Sequence, residues 1–217
     1  MSENISIRDF KESDIERLAE LAAEAWPIFS SITSEDNLPK LMRAYVQLSL
    51  LGTTWAKILT DKERVIGLFF GQIKSQFGLK QKYQALKGLC GIWRDSKSGK
   101  YGNIKNRKRL VKKIVKSQIR IMKHTPSYDA IIELFIIDAD YRGQGLGKKI
   151  MKEFISHAKS KNAKRVAVYT DPLSTFQFYE KFGFTRISEF HDIMNSYIMG
   201  EPTKGFIYLI DIENGTL

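Results

Sequence analysis

An α/β fold whose sheet has both parallel and antiparallel neighbours is predicted by three observations. Short apolar or alternating runs are interleaved with stretches of helical periodicity. Their order is β, α, α, β, β, a helical segment, β, α, β, α, β, β. Some consecutive strands are separated by a polar turn and others by a helix, which mixes antiparallel with parallel connections. The 217 residues, 43% hydrophobic and 12% aromatic, suit one domain spanning 1–217 that buries a core of its own.

Ile5 to Phe10 alternates and reads as a strand. Ser13 stands three residues before Glu16, the spacing of a capping box, ahead of a helix marked by Ile15, Leu18, Leu21, Ala22 and Ala25 that ends near Trp26-Pro27. A second helix runs from about Leu38 to Leu51 and is closed by Gly52. Thr53 to Leu59 and Val65 to Lys74 form a hairpin across the polar turn Asp61-Lys62-Glu63. Tyr83, Leu86, Leu89 and Trp93 mark a short helix, and Asp95 to Asn106 reads as a loop. Leu110, Val111, Ile114, Val115, Ile119 and Met122 share a face of a helix from Arg107 to Lys123, which Pro126 prevents from continuing. Ala130 to Ile137, broken only by Glu133, reads as a central strand buried on both faces. A turn, an amphipathic helix through Ala158, a strand from Arg165 to Tyr169 and a short helix from Ser174 to Lys181 follow. Phe184 to Met194 and Gly205 to Ile212 complete the chain as strands.

The formal charge of +11 is concentrated in one place. Lys74 to His124 holds 16 of the 35 basic residues and one acid, Asp95, so this segment carries a net charge of +15 and the remainder about −4. Residues 75–127 are expected to form a basic, mostly helical insertion and to favour an acidic partner. Nucleic acid is not expected, since no binding motif accompanies the charge. The apolar face of the Arg107–Lys123 helix is expected to pack on the core, with contact to an anionic membrane as the other reading. A single cysteine, Cys90, suits a reducing compartment and reads as a packed or idle thiol. The N-terminus lacks the basic and apolar regions of a secretory signal, and no run reaches the roughly 18 apolar residues of a membrane span. A cytoplasmic location is therefore expected. His124, His157 and His191 show no metal-ligand spacing, and no metal site is expected.

The run Arg142-Gly143-Gln144-Gly145-Leu146-Gly147 follows a buried strand and opens a helix. A helix start presents four backbone N–H groups without intrahelical partners and a partial positive charge, and glycines leave those amides accessible to a phosphate. The same glycines also suit a plain tight turn. The spacing is not the G-x-G-x-x-G of a dinucleotide fold.

This loop resembles the acetyl-CoA signature Q/R-x-x-G-x-G/A of the GNAT N-acetyltransferase superfamily, with Arg142, Gly145 and Gly147 at its fixed positions. A second block, Phe178-Tyr179-Glu180-Lys181-Phe182-Gly183-Phe184, resembles the family's F-Y-x-x-x-G-F. Asp171-Pro172 stands where many members have an asparagine. The resemblance implies a mixed, mostly antiparallel GNAT-like sheet flanked by helices, with the basic insertion between the third and fourth strands. It implies transfer of an acetyl group from the cosubstrate acetyl-CoA to a primary amine by direct attack. Backbone amides of Phe135 and Ile137 would hold the acyl and pantetheine portions. Amides of Arg142, Gly143, Gln144, Gly145, Gly147 and Lys148 would hold the pyrophosphate. Glu133 is the candidate base: a carboxylate within an apolar strand has a raised pKa, and its parity places it with Phe135 and Ile137. It equally suits a structural carboxylate bonded to a neighbour. Tyr179 is the candidate acid for the leaving thiolate, or else a core aromatic like Phe176 and Phe178. The sequence also allows a coenzyme A-binding or basic nucleic-acid-binding module without turnover. It names neither the acceptor amine nor the oligomeric state.

Overall fold

The computed structural model describes residues 4–101 and 107–213. Seven strands, β1 (Ile5–Asp9), β2 (Trp55–Asp61), β3 (Arg64–Ile73), β4 (Ala130–Ile137), β5 (Arg165–Thr170), β6 (Thr185–Asp192) and β7 (Thr203–Asp211), form one sheet in the order β1-β2-β3-β4-β5-β7-β6. Among the described residues only β4 and β5 pair in parallel; every other neighbour is antiparallel. The predicted mixed, mostly antiparallel sheet is therefore found.

Helices cover both faces. On one side α1 (Ile15–Ala25) and α2 (Leu38–Leu50) pack on Ile58, Leu68, Phe70, Leu134 and Ile136. On the other, α5 (Leu146–Ser160) and α6 (Gln177–Phe182) enclose Phe69, Ile132, Val166 and Tyr208. The 3.6-residue apolar stripe of α5, with Ile150, Met151, Phe154 and Ile155 buried, explains its seat on the sheet. Gly71 permits it: a Cβ there would lie 2.3 Å from Phe154 Cε2.

Several elements differ from the sequence reading. Ser13 does not cap the first helix. Asp14 stands at its start instead, accepting from the Lys11 amide at 2.8 Å and from Arg8 at 2.7 and 2.8 Å. The helix α3 (Leu79–Lys97) is 19 residues long, continuing through what read as the start of a loop; Gly99, at φ +78°, follows its end. The last strand but one stops at Asp192, and a further helix α7 (Ile193–Met199) follows it. The Asp192 carboxylate caps that helix, accepting from the amides of Met194 (2.8 Å) and Asn195 (3.0 Å), so the polar residue that interrupts the strand pattern is a helix start. Within α4 (Arg107–His124), Leu110 joins the core, whereas Val111, Val115, Ile119 and Met122 are exposed. The expected core packing of its whole apolar face is thus only partly realised. Cys90 is exposed on α3, not packed. Among the described residues no helix is long and apolar enough to cross a membrane.

Candidate active site

The site begins where two strands part. Asp129 clamps the start of β4 to β5: its carboxylate accepts from the amides of Lys164 (2.9 Å) and Arg165 (3.0 Å), and these bonds hold its pKa low. Pairing then covers only Ala130–Ile132 against Val166–Val168. Beyond Ile132, β4 remains paired with β3, as Leu134 with Phe70 and Ile137 with Gly67, and has no ladder partner on the β5 side. A wedge opens along Glu133 to Ile137, where among the described residues the backbone has no ladder partner on the β5 side and only the Ile137 carbonyl is taken, by Arg142, an edge on which an extended ligand can pair as an added strand does.

Glu133 occupies a β-bulge. Phe70 faces Leu134 and the next residue of β3, Gly71, faces Ile132, so Glu133 is the extra residue of β4. The bulge exchanges the two faces of the strand. Ala130 and Ile132 belong to the α5-side core, Leu134 and Ile136 to the α1/α2-side core, and Phe135 returns to the α5 side against Phe69 and Phe178. The expectation that Glu133 shares a face with Phe135 and Ile137 is therefore corrected. Its carboxylate lies instead beside Gly52, after α2, and Gln72: a Cβ on Gly52 would be 3.2 Å from both Glu133 Oε1 and Gln72 Nε2. Gln72 spends its amide on the Gly52 carbonyl at 2.7 Å. Among the described residues Glu133 has no hydrogen-bond or ion-pair partner, and burial pushes its pKa up to about 7.

The loop after β4 is held from below. Asp138, buried, accepts from Arg17 (3.2 Å), Arg64 (3.1 Å) and the Asp140 amide (3.2 Å), and Tyr141 donates to Asp61 at 2.9 Å. Arg142 Nε donates to the Ile137 carbonyl at 3.0 Å, and Gln144 donates to the Asp140 carbonyl at 3.3 Å. Gly143 and Gly145 adopt φ of +77° and +79°, values that favour glycine, and a Cβ on either would project into open space. Gly145 is the N-cap of α5 and supplies no side-chain bond, so the amides at this helix start are left without a side-chain acceptor. Gly147 has a different reason to be glycine: its Cβ would meet Phe178 at 3.1 Å and Phe135 at 3.3 Å. Lys148 is exposed in the first turn.

Tyr179 is buried on α6 between Phe178, Phe184 and Tyr208. Burial raises its pKa, with the charges of Tyr45 and Asp171 adding to the effect. The helix is anchored by a network in which Tyr208 donates to Glu180 at 2.6 Å while Arg186 donates to Tyr208 at 2.8 Å and to Glu180 at 3.0 Å. The structure thus places Phe135 against Phe178 on the α5 side of β4, Tyr179 next to Phe178 on α6, the Glu133 carboxyl beside Gly52 and Gln72, and the Arg142–Lys148 loop after the end of β4.

Two further residues join the group. Tyr45 of α2 has its phenol pKa raised by burial and then by Asp171 and Glu133. Asp171, after β5, is raised by burial but is tied down by the amides of Leu173 (2.8 Å) and Ser174 (3.0 Å). Nothing in the spacing of Tyr45 marks it; it lies on an amphipathic helix among other apolar residues. The three histidines lie elsewhere: His157 stacks on Trp55, His124 on Phe190, and His191 faces Ser196. Among the described residues no cluster of three His, Cys, Asp or Glu is placed to hold a metal.

Residues 104–192 match the acetyltransferase (GNAT) domain family, a span that contains β4, the glycine loop, α5, β5, α6 and β6. Over those residues the chain is similar to the GNAT family. Two curated relatives match over a short stretch. The spermine/spermidine N(1)-acetyltransferase of Bacillus subtilis (strain 168) is 36% identical over 56 residues, 24% of this chain. A probable spermine N(1)-acetyltransferase of Bacillus subtilis subsp. natto matches over the same length at the same identity. The chain aligns with only 37% of the length of each. Among solved structures, SsHAT superposes with a TM-score of 0.61 at 16% identity, covering 97% of this chain and 100% of that one. The structure of yncA from Salmonella typhimurium, determined with its cofactor acetyl-CoA, superposes with a TM-score of 0.52 at 12% identity, covering 99% and 97%. At these identities both establish the GNAT fold and nothing finer.

Proposed function

We propose that this chain is a GNAT-type enzyme that transfers the acetyl group of acetyl-CoA to a primary amine by direct attack. The observation that carries the reading is the wedge beside β4, which has an unpaired strand edge along its length, an uncapped helix start at one end and a carboxyl with a pKa of about 7 at its bulge. An extended pantetheine arm would pair with the edge through Phe135 and Ile137. The pyrophosphate would take the amides from Arg142 through Gly143, Gln144, Gly145 and Gly147 to Lys148, where no side chain competes.

Glu133 is the proposed base. A carboxyl that titrates near neutrality and is not spent on an internal bond accepts the amine proton as nitrogen attacks the thioester carbonyl. The C–N bond forms as the C–S bond breaks, and the thiolate takes a proton. Tyr179 is the proposed donor: a phenol whose pKa is raised stays protonated and has no other partner among the described residues. Tyr45 and Asp171 complete a surround of carboxyl and phenol groups, which suits a cationic amine. The polyamine names of the two Bacillus relatives make spermine and spermidine the first acceptors to try.

The test is a screen with radiolabelled acetyl-CoA against spermine, spermidine, amino acids, aminoglycosides and peptides, with thermal melting in parallel. Acetyl-CoA and coenzyme A are expected to raise the melting temperature, because a ligand bound only to the native state stabilises it. NAD is expected to have little effect. No shift at saturating acetyl-CoA overturns the reading; a shift without turnover of any acceptor favours a coenzyme A-binding module.

A further inference from the structure

The basic segment presents apolar side chains to solvent in a pattern that no packing among the described residues explains. At about 100° per residue, Leu79, Tyr83, Leu86, Cys90 and Trp93 fall on one stripe of α3, and Gln81, Ala85, Gly88 and Asp95 fall on the opposite side. The side turned to the protein is the small and polar one. Gly88 sits against Leu51, where a Cβ would come within 2.4 Å of Leu51 Cδ2, and Asp95 is buried and paired with Lys100 at 3.1 Å. The side turned outward is apolar, with Leu79 86%, Tyr83 70% and Trp93 63% exposed. Lys80, Lys87 and Arg94 flank the stripe on one side and Lys82 on the other, and this face of α3 carries no acid. A second stripe on α4, Val111, Val115, Ile119 and Met122, is likewise exposed and set among lysines.

We infer that α3 is a membrane-docking helix that lies on an anionic lipid surface, with its apolar stripe among the acyl chains and its lysines and Arg94 at the headgroups. The charge decides the occupant. A second copy of the chain would bring the same +15 segment to meet its own kind, and like charges oppose that contact. A partner helix would need a groove, and α3 offers a convex rod about 28 Å long. A bilayer rich in phosphate headgroups meets both the sign of the charge and the flat extent of the stripe. Trp93 and Tyr83 are the aromatic types that favour the membrane interface, and Lys97 Nζ sits 3.6 Å over the Trp93 ring, a cation held beside the group that would insert.

Cys90, the sole cysteine, lies on the stripe and is exposed, so it can carry an environment-sensitive fluorophore. The labelled full chain is mixed with vesicles of phosphatidylglycerol and phosphatidylcholine, or of phosphatidylcholine alone. A blue-shifted emission and co-sedimentation with the anionic vesicles only are expected. The double variant Leu86→Glu/Trp93→Glu is expected to lower vesicle affinity about tenfold or more, and to leave the melting temperature unchanged because both side chains are exposed. Failure to sediment with anionic vesicles overturns the inference. So does sedimentation that the double variant leaves intact, which reduces the surface to charge alone. A concentration-dependent shift without lipid, abolished by the double variant, would show that a second copy covers the stripe. An equal shift with soluble polyglutamate would assign the surface to an acidic protein.

Discussion

Glu133 combines two properties that oppose each other. Its carboxyl is useful as a base because burial keeps its proton until about pH 7, and the same burial makes the ionised form costly to the fold. The folded state holds this proton to a higher pH than the unfolded chain does, so stability falls as pH rises from the ordinary carboxyl range through about 7. Glu133→Gln keeps the group neutral. The variant is expected to melt higher than the parent well above pH 7 and equally below the carboxyl range. Its turnover should fall most near neutrality and recover partly at high pH, where the free amine needs less help; an equal loss at every pH removes Glu133 from the role of base. Tyr179→Phe is expected to slow the acetyl-transfer step while leaving coenzyme A affinity nearly unchanged. Single-turnover rates that match the parent would leave Tyr179 a packing residue.

Among the elements, the glycine loop and α5 carry the heaviest constraints. Gly145 combines a φ of +79° with open space ahead of its missing side chain. Gly145→Glu is expected to abolish the melting-temperature rise given by coenzyme A, since its carboxylate would occupy and repel the phosphate position; normal binding would move the pyrophosphate elsewhere. Gly71→Ala tests packing, because Phe154 is fully buried and cannot yield the 2.3 Å approach. A loss of about 1–3 kcal/mol in denaturant unfolding is expected, as for other overpacked cores. The loop was legible in the sequence because glycine spacing after an apolar strand is local information. So was α5, whose stripe is regular over four turns. The bulge was not legible: Glu133 in an apolar run looks the same whether or not the partner strand skips a residue, and the skip depends on Gly71 and Phe70, far away in sequence. Nor was α7, a seven-residue helix announced only by its cap Asp192. Tyr45 escaped because tertiary placement alone brings it to the wedge, and α3 gave a helical pattern whose apolar side, contrary to habit, points outward.

For the molecule as described, the sheet separates two cores, and among the described residues these share no helix. α1 and α2 belong to one and α5 and α6 to the other, and β4 supplies Ala130 and Ile132 to the α5 side and Leu134 and Ile136 to the α1 side. Without the bulge a strand keeps its even residues on one face throughout. With it, even positions of β4 enter both cores; β2 and β3 likewise feed both through alternate residues such as Ile58 and Leu59 or Leu68 and Phe69, so neither core can loosen without disturbing strands it shares with the other. Native-state hydrogen exchange is the measurement: the slowest amides of α1, near Leu21, and of α5, near Phe154, are expected to share one opening free energy and one denaturant dependence. Exchange of α1 through a cheaper partial opening would contradict this. The residue proposed to take the amine proton is thus an insertion in β4, and a chain that lost it by deletion would keep Ile132 and Leu134 in their separate cores while losing its base.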